Sequence, residues 1–594
     1  MTGIIDRKTI DFLLFDLMEA EALCGRGPYE DHDRTSLNAA LDLAQDLAET
    51  HLWPHAALSD TQEPQLIDGE VRILPEAKTA LGVLREAGFF SAHATFEQGG
   101  MQLPVVVNHA CNGMMKGANV GTHSYMSLTR AAGNLLAAHG TEAQKRKYLV
   151  PMLEGRFFGT MCLSEPDAGS SLSDLRTRAV PRADGTYAIS GTKMWISGGD
   201  HDAADNIVHL VLARLPDAPL GVRGISLFAV PKYLVNDDGS IGARNGVEVA
   251  GLNHKMGYRG TSNCLLAFGE NTPAIGTLVG QEHNGLAAMF HMMNEARISV
   301  GLGGAMLASV AYRFALNYAK ERRQGRRLEH RDPASPQVHL IEHLDVRRML
   351  LRQKALSEGG IALCLYAGTL VDRARLADTE EGRAHLDALL DLLTPVVKAW
   401  PSEFGLAANQ DAIQVLGGYG YSREFPVERL YRDNRLNMIH EGTNGIQALD
   451  LLGRKVLGRG GANLSTFFEE VQRTIAPMQA DESLGPLCQN LCRVMKQIEE
   501  TAQEVEANME RVGKSRGLGN ASAFLNAFGH FVVAWLWLRA AKAARAVKGD
   551  ASFQAGKLAA CQYFFDYELP QAEVWLRTAA RDAAVLDDLD LAGL

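Results

Sequence analysis

Apolar residues recur at spacings of three and four in residues 37–53 and 76–90, the period of helices that bury one face. Between them, residues 54–75 lose the period and read as a wandering polar connection bounded by Pro54 and Pro75. From residue 159 the texture changes. Residues 187–197, 205–215, 224–230 and 264–268 are short runs of Val, Ile, Leu and aromatics, bounded by Gly, Asp, Asn and Pro, which predicts strands. The helical period returns over 284–454 and is clearest in 290–323. An acidic, arginine-bearing stretch, 372–393, interrupts it and reads as an exposed hairpin. After the glycine-rich run 458–461 the pattern stays helical to residue 594. The expected class is α+β and mainly α. Residues 1–158 form an N-terminal helical domain, 159–275 a central β domain, 276–455 a helical bundle and 456–594 an added helical domain. No internal repeat or low-complexity tract is evident.

Composition narrows the classes. A chain of 594 residues exceeds what one core usually organises. With 46% hydrophobic and 22% charged residues it is globular rather than disordered. A net charge of −11 argues against general nucleic-acid binding, which needs a basic footprint. Eight scattered cysteines fit a reducing compartment, and Cys488 and Cys492 read as thiols on one buried helix face. No signal peptide is evident at the start, so a cytoplasmic setting is expected. No run reaches the roughly 18 apolar residues of a membrane span. The nearest, 528–539, contains His530 and reads as a buried or interface helix, so stable membrane insertion is not expected.

Candidate chemistry is spread along the chain. Glu441 lies in a loop between two helical patterns, beside Gly442 and Thr443. A carboxylate there combines freedom of approach with positional support, which suits a base; a solvated surface charge is the plainer alternative. The run 164–171 (SEPDAGSS) gathers Pro, Gly and hydroxyls, either a plain turn after a strand or a loop that bonds a polar ring edge. Trp195 is either a core aromatic or a flat face beside a planar ligand. Arg322 ends a long helix, as a dipole-complementing charge or a fork for a pyrophosphate. Gly417, Gly418 and Gly420 do not fit G-x-G-x-x-G and follow no strand, so they read as a helix-ending turn or a close approach to phosphate. Gly513-Lys514-Ser515 fails the P-loop pattern because Asn508 stands where its first glycine belongs. His339, Glu342 and His343 match H-x-x-E-H, but no third ligand is identifiable and no metal is expected.

Taken in order, these segments resemble the acyl-CoA dehydrogenase family over residues 150–455. The resemblance rests on 161–176, 191–199 (GTKMWISGG), 252–268, 318–326 (YAKERRQGR), 414–433 and the Glu441 loop. The added C-terminal region is similar to the larger members, among them the 3-methylmercaptopropionyl-CoA dehydrogenase-like subgroup. The resemblance implies FAD as cofactor and α,β-dehydrogenation of an acyl-CoA to the trans-2-enoyl-CoA. Glu441 would remove the α-proton while hydride passes from Cβ to flavin N5. It implies flavin contacts from Leu163, Ser164, Ser170, Trp195, Ser197, Arg322, Gln414, Gly417, Gly418 and Thr443. Ser170, Asn294, Arg297 and Gly442 would meet the acyl-CoA. It also implies a homodimer sharing cofactor sites and an electron-transferring flavoprotein as acceptor. Two departures stand out. One residue is missing after Arg322, and His440 replaces the tyrosine common before the glutamate. Alternatives are an acyl-CoA oxidase and an alkylation-response-type DNA-binding flavoprotein. Against the latter, residues 456–594 hold 14 basic and 17 acidic residues, a balance of −3.

Overall fold

The computed structural model describes residues 3–329 and 332–593, with the side chains of 290–294 and 459 outside the described set. It divides into two compact units that are not contiguous in sequence: Met1–Asn38 with Pro104–Gly113 and Arg297–Leu594, and Ala39–Leu103 with Met114–Ala296.

The second unit holds the β structure. Helices α1 (Arg34–Asp46) and α2 (Pro75–Glu86) follow the expected periods, and α3 (Val105–His139) lies within the stretch expected to be helical. The stretch 54–75 corrects the reading of an irregular connection. It holds a short helix, Ala56–Thr61, and a hairpin of β1 (Gln65–Ile67) and β2 (Glu70–Arg72), turning on Asp68 and Gly69 with positive φ. The hairpin escaped notice because its strands are three residues each, too short to show alternation.

The main strands are β3 (Phe157–Cys162), β4 (Arg178–Pro181), β5 (Tyr187–Ser197), β6 (Asn206–Arg214), β7 (Ile225–Pro231), β8 (Tyr233–Val235), β9 (Ile241–Arg244), β10 (Val247–Leu252), β11 (Asn263–Phe268) and β12 (Ala274–Val279). Eight of them form one sheet in the order β10-β11-β5-β12-β7-β6-β3, with β4 paired to both β5 and β6. That double pairing closes β5, β12, β7, β6 and β4 into a small barrel. Its core of Leu210, Leu212, Leu227 and Ala229 packs against Leu135, Leu149 and Phe157. Strands β6 and β7 are buried nearly throughout, which explains why they read as continuous apolar runs.

In the first unit, α4 (Gly285–Glu321), α5 (Leu344–Arg375) and α6 (Glu380–Leu416) are long helices, followed by the short α7 (Val427–Arg435) and α8 (Asn444–Asp450). Where α4 crosses α6, a Cβ on Gly301 would lie 1.9 Å from the Val397 carbonyl oxygen, so only glycine allows that approach. The stretch 372–393 is not a hairpin interrupting the bundle. Both helices run into it and only a short turn separates them, while Asp372 is fully buried and accepts the amides of Val105 and Val106 at 2.8 and 2.9 Å.

After α9 (Ala462–Ile475) come α10 (Gly485–Val512), α11 (Ala521–Ala546) and α12 (Ala551–Tyr563). They belong to the same compact unit as the bundle. A Cβ on Gly529 of α11 would meet the Trp400 ring at 2.3 Å, and one on Gly359 of α5 would meet Val533 at 2.6 Å. Among the described residues, 295–321 and 514–546 are helical, long and apolar enough to cross a membrane, and both are mostly buried inside the fold.

Candidate active site

Glu441 sits where the chain leaves α7. A 3₁₀ turn, Leu436–Met438, leads into a loop in which Glu441 has φ 55° and Gly442 φ 84°. A left-handed glutamate is strained by roughly 1–2 kcal/mol, so its surroundings must hold it. Two devices do so. Thr443 caps α8, its hydroxyl accepting the Ile446 amide at 3.4 Å. Gln447, fully buried on α8, donates to the carbonyls of Glu441 (3.1 Å) and Gly442 (3.4 Å). A Cβ at Gly442 would lie 2.6 Å from the Gln447 amide nitrogen, so Gly442 supplies both the backbone conformation and the room.

Two buried cations exert their charge on the half-buried Glu441. Lys398, fully buried on α6, donates to Asn444 Oδ1 at 3.0 Å; Asn444 in turn donates to Glu403 at 3.0 Å. Burial pushes the Lys398 ammonium down to about 7, with Glu441 and Glu403 opposing the shift and Arg297 adding to it. Arg297, 7% exposed on α4, has Nη1 3.6 Å from Asp450 Oδ2, and its Nε has no hydrogen-bond partner. Burial lowers the Arg297 value, while Asp450 and Glu441 oppose the shift. Lys398, Glu403, Asn444 and Gln447 were missed in the sequence. The available signal was a lone lysine inside the apolar run 392–400.

The remaining expected residues fall into two further places. In the second unit, Lys193 Nζ donates to the Leu163 carbonyl (3.0 Å) and pairs with Glu165 (2.9 Å), while the Met194 amide donates to the Ser164 carbonyl (3.0 Å). This laces the 163–165 segment to β5. At that point β5 carries a bulge opposite Leu265, and Trp195, in the bulge, has φ 65° and stays 58% exposed. Ser197 accepts Asn263 Nδ2 at 3.1 Å. Burial raises the Glu165 carboxyl, but Lys193 and Thr177 bring it net below its ordinary range. Leu163, Ser164, Trp195 and Ser197 are thus gathered, whereas Ser170 lies on the exposed outer part of its loop.

In the first unit, Arg322, Gln414, Gly417 and Gly418 are all exposed. The turn that ends α6 packs beside the end of α4, with the Tyr318 and Tyr419 rings 6.3 Å apart. The Gly417 amide already donates to the Gln414 carbonyl, which answers the helix-ending reading of this turn. Asn294 falls on α4, but its side chain is outside the described residues. The H-x-x-E-H reading fails on geometry: residues 340–342 form a 3₁₀ turn rather than a helix, Glu342 pairs with Arg327 at 2.7 Å, and His343 Nε2 meets the Gln324 carbonyl at 2.8 Å.

Comparison with known proteins matches four family descriptions along the chain. They are the acyl-CoA dehydrogenase N-terminal domain (36–156), its middle domain (160–270), its C-terminal domain (283–457) and an acetyl-CoA dehydrogenase C-terminal-like region (467–590). The chain is 39% identical to 3-methylmercaptopropionyl-CoA dehydrogenase of Ruegeria pomeroyi, covering 90% of this chain and 91% of that one. It is 35% identical to the broad-specificity linear acyl-CoA dehydrogenase FadE5 of Mycobacterium tuberculosis, covering 98% and 96%. In fold it is similar to an acyl-CoA dehydrogenase complexed with FAD from Bacillus anthracis, at 21% identity, TM-score 0.74, and coverage of 94% and 90%.

Proposed function

The chain belongs to the acyl-CoA dehydrogenase family, and from that membership we propose that Glu441 is the base that takes the α-proton of an acyl-CoA thioester, giving the trans-2-enoyl-CoA. The protein is an FAD-dependent oxidoreductase acting on acyl-CoA. One observation carries the assignment of the base. Glu441 is held in a left-handed loop by Gln447 and Thr443 and feels the charge of two buried cations, Lys398 and Arg297.

The residues present fit the cofactor. An indole that stays 58% exposed in a strained strand bulge is a flat face suited to a planar ring. Trp195, Leu163, Ser164 and Ser197 would hold the ring system. Arg322, Gln414, Gly417, Gly418 and Thr443 would meet the rest of FAD. A Cβ at Gly417 or Gly418 would touch nothing within 4 Å, so the backbone there is open to a ligand. When bound, FAD supplies the acceptor for the hydride leaving Cβ.

The remaining chemistry belongs to the chain. The α-proton of a thioester is a weak acid, so the base must be placed against it and kept from water. Lys398 and Arg297 favour the ionised carboxylate that such a base requires. The unpartnered Arg297 Nε is a donor left for the acyl-CoA, and Gly442 would meet the same substrate in this reading. Proton transfer then moves negative charge from Glu441 onto the thioester.

The substrate we favour is 3-(methylthio)propanoyl-CoA or a short- to medium-chain acyl-CoA, supported by the likeness to the Ruegeria pomeroyi enzyme. An electron-transferring flavoprotein is the acceptor in this reading. A homodimer sharing cofactor sites belongs to the same reading, supported by the exposure of Arg322, Gln414, Gly417 and Gly418. Eight free cysteines fit a cytoplasmic setting.

Glu441→Gln tests the base directly. The variant is expected to bind FAD and a short acyl-CoA but to reduce the flavin at least ~1000-fold more slowly in stopped flow, a barrier increase of about 4 kcal/mol. Near-normal reduction would remove Glu441 from the role.

A further inference from the structure

Three asparagines stand beneath the Glu441 loop with no role in the chemistry above. Asn434 lies in α7, Asn437 in the following 3₁₀ turn, and His440 beyond it. A spacing of three aligns side chains along a 3₁₀ turn, so these residues make one row. Asn409 of α6 extends it inward, and all three asparagines are fully buried.

Their orientations follow from two backbone carbonyls, which can only accept. Asn409 Nδ2 donates to the Leu307 carbonyl at 3.2 Å, so its Oδ1 is the atom facing Asn434. Asn434 Nδ2 donates both to that Oδ1 (2.6 Å) and to the Gly304 carbonyl (3.0 Å), so Asn434 Oδ1 faces outward. Asn437 Nδ2 donates to Asn434 Oδ1 at 3.0 Å, which turns Asn437 Oδ1 toward His440. His440 Nε2 lies 3.1 Å from that oxygen and must therefore carry the hydrogen. Each amide polarises the next, so the row acts as a unit.

We propose that this asparagine row locks His440 as an Nε2–H donor and makes it a positioning residue for Glu441. The inference rests on the reading of Glu441 as the base. His440 immediately precedes a glutamate whose backbone is left-handed. Anchoring the imidazole to α4 and α6 through the row fixes the residue from which that conformation starts. Gln447 and Thr443 fix the other side. Any side chain that donates at the Nε2 position would serve; a ring without a donor would not.

The test compares His440→Phe, His440→Gln, Asn437→Leu and the double variant His440→Phe/Asn437→Leu. FAD content, acyl-CoA dissociation constant and flavin reduction would be measured with protio and α-deuterated substrate. His440→Phe and Asn437→Leu should each slow reduction about tenfold, the size of one lost buried hydrogen bond. The isotope effect should rise, and substrate affinity should stay within about threefold. His440→Gln should recover most of the rate. The double variant should be no slower than the slower single, because both break one unit. Multiplying effects in the double variant, or equal rates for Phe and Gln, would overturn the proposal. Should Asn437→Leu fail to fold, the Phe–Gln comparison decides alone. Glu441→Gln run in parallel separates the outcomes: if it reduces flavin normally, the base assignment has failed rather than the row.

Discussion

Lys398 is the residue at which burial and function conflict most openly. A fully buried ammonium on a helix that also contains Pro395 and Pro401 has one hydrogen bond to Asn444 and a value pushed down to about 7. Its unfolded value is near the ordinary lysine range, about 10.4. Between those values the unfolded chain holds a proton that the folded chain has lost, so folding stability rises with pH across that window. Below pH 7 both states are protonated and the full penalty, on the order of 4 kcal/mol, is present. Lys398→Met should therefore melt higher than the parent protein at pH 6, and its advantage should shrink steadily toward pH 10. A difference that ignored pH would contradict the shift. Flavin reduction should slow in the same variant, because Glu441 loses a cation and Asn444 a donor. Such a residue was hardly legible beforehand. Glu441 could be picked out from its loop and its glycine neighbour, whereas Lys398 lies 43 positions earlier and meets it only through folding. Trp195 was legible as a candidate, but the bulge that leaves it exposed depends on the register between β5 and β11.

At the scale of elements, the helices followed from period because each buries a regular face, while β5, β6, β7 and β11 followed from short apolar runs bounded by turn residues. Strand β5 was expected over 187–197 and runs Tyr187–Ser197. The β1–β2 hairpin and the 3₁₀ turn at 340–342 were not legible, since elements of three residues contain no period. Glycine-mediated crossings were equally hidden. Gly301 lies in a helix whose sequence would tolerate alanine locally, yet its Cβ would meet the Val397 oxygen at 1.9 Å. Gly82 in α2 would meet nothing within 4 Å. Helix propensity alone favours alanine at both by about 1 kcal/mol. Gly82→Ala should thus stabilise by roughly 0.5–1 kcal/mol. Gly301→Ala should destabilise by about 3 kcal/mol or fail to give soluble protein, because α4 and α6 must part. Urea midpoints of the two variants check the contrast; a shift of the same sign in both would mean that the crossing is looser than described.

At the scale of the molecule, the C-terminal helices share one compact unit with the bundle rather than trailing behind it. One knot shows how the ends are tied. Glu358 of α5 is buried and pairs with Lys354 on its own helix and with Lys557 of α12 at 2.7 Å; Lys557 also reaches Thr9 Oγ1 at 3.0 Å. Burial raises the Glu358 carboxyl, but the two lysines bring it net below its ordinary range, while burial pushes Lys557 down to about 8. The single carboxylate therefore compensates two buried cations that come from separate stretches of chain. Removing its charge strands both, which costs roughly 3–5 kcal/mol in comparable pairs. Glu358→Gln should lower the urea midpoint accordingly. The loss should grow as pH falls from about 10 through neutral, because without Glu358 the buried Lys557 must either give up its proton on folding or stay charged without a counterion. Release of α12 has its own readout. Lys557 is 1% exposed and closed to trypsin in the parent fold, so limited proteolysis of the variant should cut after Lys557 before the core is degraded. An unchanged midpoint together with an intact Lys557 bond would show that apolar packing of α11 and α12 holds the C-terminal helices in place without the charge knot.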